Sequence, residues 1–140
     1  MRKSKNRGGG TVSFTNKCDL LIVEDEESLR HFIGKMIQDR FPNLRIQFAG
    51  DGLEGLEKVK VLKPHIVWTC VKMPRMSGLE LIELIRKNPD LNKTKILVWT
   101  GCYTMKDVKN HILELGVDVF LPKSPGTIEE ALSAITAWVL

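Results

Sequence analysis

Short apolar runs alternate five times with amphipathic stretches along this chain, and that alternation restricts its fold more than any other feature. The runs at 19–23, 66–70, 95–99 and 117–121 are nearly continuous in apolar and β-branched side chains, as strands buried on both faces of a parallel sheet require. The run at 44–48 differs. There Leu44, Ile46 and Phe48 alternate with Arg45 and Gln47, which predicts a half-exposed edge strand. Between the runs, apolar residues recur at helical spacings of three and four. They are Leu29, Phe32, Ile33, Met36 and Ile37, then Leu53, Leu56, Val59 and Leu62, then Leu81, Ile82, Leu84 and Ile85. Met105, Val108, Ile112 and Leu115 follow, and a final stripe runs from Ile128 through Ala131, Leu132, Ile135 and Trp138 to Val139. Ser28, the pair Ser77 and Glu80, and the pair Thr127 and Glu130 predict helix N-terminal caps, while Pro42, Pro64, Pro89 and Gly116 predict stops. Strand and helix joined by short loops call for a five-stranded parallel sheet with helices on both faces, a three-layer α/β sandwich built of right-handed crossovers.

At 140 residues and 43% hydrophobic the chain suits one domain with a proper core. No apolar run reaches the roughly 18 residues of a membrane span, and the basic N-terminus lacks the apolar segment of a secretory signal. A cytoplasmic location is expected, and no membrane partner. Cys18, Cys70 and Cys102 lack the paired spacing of a zinc or dithiol motif, which fits a reducing compartment. The net charge of +4 is concentrated in residues 1–17, which hold Arg2, Lys3, Lys5, Arg7 and Lys17 with no acid and leave the remainder close to neutral. These residues, with their Gly8-Gly9-Gly10 run, read as a basic flexible tail ahead of a domain at 18–140. Because the basic excess is not on a folded face, the composition argues against a nucleic-acid-binding domain.

In a parallel sheet every strand delivers its C-terminal end to one rim, and ligands gather there. Here those ends are Glu24-Asp25, Cys70, Thr100 and Lys123. Adjacent carboxylates suit Mg²⁺, which needs only one or two of them and keeps several waters. A hydroxyl and an ammonium opposite suit phosphoryl oxygens, whose transfer asks mainly for positioning and charge neutralisation. Singly, each residue has a plainer role: acids complement a helix dipole, a threonine ends a strand, and a rim lysine is solvated. Their convergence is what points to a site.

The stretches LLIVEDEE, PHIVWTCVKMPRMSGLELI, LVWTG and GVDVFLPK, in that order, resemble the receiver domain of two-component response regulators from about Asp19 onward. The resemblance implies a flavodoxin-like (β/α)5 fold with strand order 2-1-3-4-5. It implies that Glu24 and Asp25 are the acidic pair for Mg²⁺ and that the backbone carbonyl of Lys72 is a further ligand. It makes Thr100 the switch hydroxyl, Lys123 the phosphate-contacting lysine and Phe120 the switch aromatic. It also implies a sensor histidine kinase or phosphotransfer protein as partner. An output partner or a second copy would then engage the face of helix 4, strand 5 and helix 5. Cys70, four residues before Pro74, falls on the phosphoaccepting aspartate. Ser124 between Lys123 and Pro125, and the extra charge of Lys72, are lesser departures from the family pattern.

A thiol cannot form an acyl phosphate, and sulfur is a poor ligand for a hard cation. Normal aspartyl phosphorylation is therefore expected to be lost and Mg²⁺ binding weakened. Three readings stay open: an otherwise competent receiver with a single replacement, a natural pseudo-receiver that works only as a protein-interaction module, and a redox sensor pairing Cys70 with Cys102. No enzyme is expected. From Cys70 to Arg75 the chain is one residue too short, and lacks the glycines, for a cysteine phosphatase loop. His31, His65 and His111 have no metal-ligand spacing, and Trp68, Trp99 and Trp138 read as core or interface.

Overall fold

The computed structural model describes residues 18–101 and 106–139. The basic stretch 1–17, Cys102, Met105 and the side chain of Val108 lie outside the described residues. The strands are β1 Leu20–Val23, β2 Ile46–Ala49, β3 Ile66–Thr69, β4 Lys95–Thr100 and β5 Val119–Pro122. All four pairings are parallel, and the order is β2-β1-β3-β4-β5. Helices α1 Glu27–Arg40, α2 Gly52–Leu62, α3 Gly78–Lys87, α4 Lys106–Glu114 and α5 Ile128–Val139 follow the strands in turn, a short 3₁₀ turn Pro125–Thr127 preceding the last.

Alternation within each strand sorts the core into two layers. Leu21, Val23, Val67, Ile96 and Val98 face α2, α3 and α4 through Val59, Leu81, Ile82, Ile85 and Ile112. Leu20, Ile22, Trp68, Leu97 and Trp99 face α1 and α5 through Ile33, Ile37, Leu132 and Ile135. The edge strand β2 is half exposed, as its alternating pattern predicts. The Ser77–Glu80 capping box is present. Gly116, at φ +88°, closes the stretch after α4 in a conformation that glycine adopts without strain.

Several local expectations are corrected. Ser28 does not cap α1: the helix begins at Glu27 behind Glu26, and the Ser28 hydroxyl donates instead to the Glu26 carboxylate. Thr127 does not cap α5 with Glu130 either. Its hydroxyl accepts from Trp99 Nε1 at 2.8 Å and lies 2.6 Å from the Pro122 carbonyl, so it braces the buried indole. Phe32 and Leu84 share their helices' apolar spacing but point to solvent. For Phe32 the reason is that the buried stripe of α1 turns onto Gly34, which the Phe48 ring overhangs. The last strand starts two residues late, after Asp118 has accepted from the Ile96 amide and from Arg86.

The loop from β3 to α3 is fixed by close backbone approach. A Cβ on Gly78 would sit 2.0 Å from the Cys70 carbonyl, and one on Gly52 would sit 2.1 Å from that of Met76. Asp51 caps α2 through the Glu54 amide and pairs with Arg75, which holds a left-handed φ of 68°. At the opposite end of the sheet, Asp19 accepts from the Arg45 amide at 2.8 Å and from its guanidinium at 3.0 Å, tying β1 to β2.

These contacts set the cost of altering them. Gly78→Ala should destabilise the fold by about 1–3 kcal/mol through overpacking, whereas Gly126→Ala, with open space around it, should stay within about 0.5 kcal/mol; urea unfolding midpoints measure both. Burial alone would raise the Asp19 pKa, but the bonds from Arg45 outweigh it and hold the carboxyl below its ordinary value. A depressed carboxyl stabilises the fold above the unfolded pKa and loses that contribution as pH falls through the folded one. Asp19→Asn should therefore flatten the acid side of the stability-against-pH curve.

Candidate functional site

The C-terminal ends of β1, β3, β4 and β5 meet at one rim, and the side chains there are assembled around a buried carboxylate. Glu24 lies just past β1 and is 2% exposed, so its charge needs compensation. Lys123, just past β5, supplies it: Nζ lies 3.1 Å from Glu24 Oε1 and 5.6 Å from the centroid of the Trp99 ring below. The Glu26 amide donates to Glu24 Oε2 at 3.2 Å, and Arg30 donates to the Glu24 carbonyl at 2.9 Å. Lys123 is itself positioned by its amide, which donates to the Thr100 carbonyl at 2.9 Å.

Asp25 stands exposed beside this pair, and Cys70 is 3% exposed. Cys70 Sγ lies 3.9 Å from Asp25 Oδ1 and 3.7 Å from the Lys72 carbonyl. One ligand atom from each of Glu24, Asp25 and Cys70 falls within 4.8 Å of the others. An open cleft of ≈ 400 Å³ reaches Asp25 and is lined further by Val71, Lys72, Met73, Pro74 and Ser77. Burial pushes the Cys70 thiol up to about 12, Glu24 and Asp25 adding to the rise and Lys123 opposing it. The thiol is therefore neutral and weakly nucleophilic at ordinary pH.

The remaining residues expected at the rim lie on it or beside it. Thr100 ends β4 and is 2% exposed. Phe120 sits one strand over, half-buried against the layer of α2, α3 and α4 and in register with Val98. Sequence reasoning missed Arg30, whose signal was a base in the second turn of the helix following the acidic pair. It also missed the Asp51–Arg75 pair, which is far apart in the chain and has no local signal.

The oxygens of Glu24 and Asp25 and the Lys72 carbonyl are hard donors of the kind Mg²⁺ takes, but the fourth group facing them is a neutral sulfur. Mg²⁺ demands near-octahedral oxygen ligation, so the complete donor set does not fit that ion.

The response regulator receiver domain family matches residues 20–136. The chain is 30% identical over 120 residues to hybrid signal transduction histidine kinase D of Dictyostelium discoideum, covering 86% of this chain but 7% of that protein. It also spans less than half of several other curated relatives, between 29% and 49% of their length. A probable chemotaxis protein CheY of Rhizobium etli is 29% identical over 129 residues, covering 90% of this chain and 95% of that one. Among solved structures, the chemotaxis response regulator CheY4 of Vibrio cholerae superposes with a TM-score of 0.73 at 26% identity, over 85% of this chain and 98% of the other. Sheet order, rim and family match agree: this chain belongs to the response regulator receiver domain family.

Proposed function

We propose that residues 18–140 form a two-component receiver module whose phosphoacceptor position is held by Cys70, so that normal aspartyl phosphorylation is lost. The observation that carries this is the placement of Cys70 Sγ among Asp25, Glu24 and the Lys72 carbonyl, just past the end of the central strand. In this reading Glu24 and Asp25 are the acidic pair, Lys123 the phosphate-contacting lysine, Thr100 the switch hydroxyl and Phe120 the switch aromatic. The basic stretch 1–17 lies outside the module.

A receiver aspartate takes a phosphoryl group from a phosphohistidine, and the acyl phosphate shifts an existing equilibrium between two shapes. Here the chain's own residues would hold the phosphoryl oxygens through Lys123 and Thr100, but no carboxylate stands where the P–O bond would form. The donor set also binds Mg²⁺ weakly. The partners this reading names are a cytoplasmic histidine kinase or phosphotransfer protein, and an output protein or second copy on the face of α4, β5 and α5. The module itself performs no catalysis. The retained Lys123–Glu24 contact and the capped, glycine-pinned loop favour a competent site with one replacement over a pseudo-receiver whose site has decayed more widely.

Incubation with a small phosphodonor and Mg²⁺ tests this. The unaltered chain should form no acid-labile adduct and Cys70→Asp should form one, read by mass spectrometry of the intact protein. An adduct on the unaltered chain would refute the proposal, and failure of the variant would select the pseudo-receiver. The thiol gives a separate expectation. At pH 8 a thiol reagent should label Cys70 at least tenfold more slowly than in urea-unfolded chain, since burial keeps it protonated; equal rates would revive the redox reading.

A further inference from the structure

The misfit between this donor set and Mg²⁺ has a positive side. We propose that Glu24, Asp25 and Cys70 form a site for a thiophilic divalent cation of the zinc class, selected over Mg²⁺. The inference rests on the reading of this rim as the receiver's acidic pocket, and it assigns that pocket a different ligand.

Geometry supports it first. Zinc binds sulfur near 2.3 Å and carboxylate oxygen near 2.0–2.2 Å, so donor atoms around a tetrahedral ion lie about 3.5 Å apart. Cys70 Sγ is already 3.9 Å from Asp25 Oδ1 and 3.7 Å from the Lys72 carbonyl. All three side-chain donors fall within 4.8 Å of one another. Contraction by a few tenths of an ångström along the sulfur–Asp25 and sulfur–Lys72 edges brings those atoms to coordination distance. The Lys72 carbonyl or a water completes four ligands.

The surroundings meet the further requirements of a metal site. Glu24 is oriented by Lys123 on one oxygen and by the Glu26 amide on the other, and a carboxylate retains acceptor capacity beside each. The open cleft lined by Asp25, Lys72, Met73 and Ser77 gives solvent access to the Asp25 side of the cluster. Charge closes as well. On binding, the S–H bond of Cys70 breaks, its proton leaves to solvent, and a sulfur–metal bond forms. Thiolate and two carboxylates then offset the dication and Lys123, with the ammonium of the exposed Lys72 left to solvent. Selectivity comes from the sulfur: a soft thiolate favours zinc-class ions, whereas Mg²⁺ gains little from it.

The test uses the full, reduced chain titrated with Cd²⁺ alone, read by the near-ultraviolet sulfur-to-metal charge-transfer band. Zn²⁺ and then a large excess of Mg²⁺ follow as competitors. The expected result is one equivalent of Cd²⁺, displaced by Zn²⁺ but not by Mg²⁺. The band should vanish in Cys70→Ser, with its fold confirmed by circular dichroism. Affinity should fall at least tenfold in Asp25→Asn, which alters an exposed residue and keeps every thiol. A band that survives in Cys70→Ser, an unchanged affinity in Asp25→Asn, or displacement by Mg²⁺ would overturn the inference. Phosphorylation of Cys70→Asp separates the two claims. If that variant takes up phosphoryl while the unaltered chain shows no band, the receiver reading stands and the metal inference falls. A Cys70-dependent band together with an unphosphorylatable variant means the opposite: the metal site stands and the competent-receiver reading falls.

Discussion

Parallel pairing of all the strands sends every C-terminal strand end to one rim and every N-terminal end to the other. The two rims of this sheet then meet different demands. At the N-terminal rim, polar groups satisfy one another. Asp19 grips Arg45, and Arg86 donates to Asp118 and to the carbonyls of Gly116, Asn92 and Thr94. These contacts close the ends of β1, β2, β4 and β5 and hold the strand register. At the C-terminal rim Asp25 and Lys72 line an open cleft instead, so chemistry there is available to a ligand.

Charge at that rim is set by what stands at Cys70. Glu24 is buried and stays compatible with the fold because Lys123 lies against it. Counted over Glu24, Asp25 and Lys123 alone, a third carboxylate would leave two negative charges in excess, a strong draw for a divalent cation. The neutral thiol leaves an excess of one. On the reading proposed above, sulfur at Cys70 stands where a phosphoryl-accepting oxygen would be and also weakens the field that would hold Mg²⁺. The loop around it is pinned by Gly78 against the Cys70 carbonyl and by the Ser77–Glu80 box.

The layers of the fold were legible because burial on both faces of a strand and on one face of a helix leaves a periodic trace. The order of the strands is not written in periodicity and came from the resemblance to receiver domains. Ser28 and Thr127 show where local pattern misleads. Each sits near a helix start with an acid nearby, but Thr127 is held by Trp99, a contact between residues on different elements that no window on the sequence contains. Phe32 keeps helical spacing yet points to solvent, because the face of α1 is decided by Gly34 against the Phe48 ring. The rim residues were found because a parallel sheet fixes where strand ends go. Arg30 and the Asp51–Arg75 pair were not, because their partners are set by loop geometry.

If the rim is complete apart from one atom type at Cys70, restoring oxygen there should restore the Mg²⁺ site. Mg²⁺ titration of the unaltered chain and of Cys70→Asp, followed by tryptophan fluorescence, tests this most directly, since Trp99 lies 5.6 Å from Lys123 at the site. A saturable Mg²⁺ response in the variant, at least tenfold tighter than in the unaltered chain, is the predicted result. Equal responses in the two proteins, or none in the variant, would contradict it.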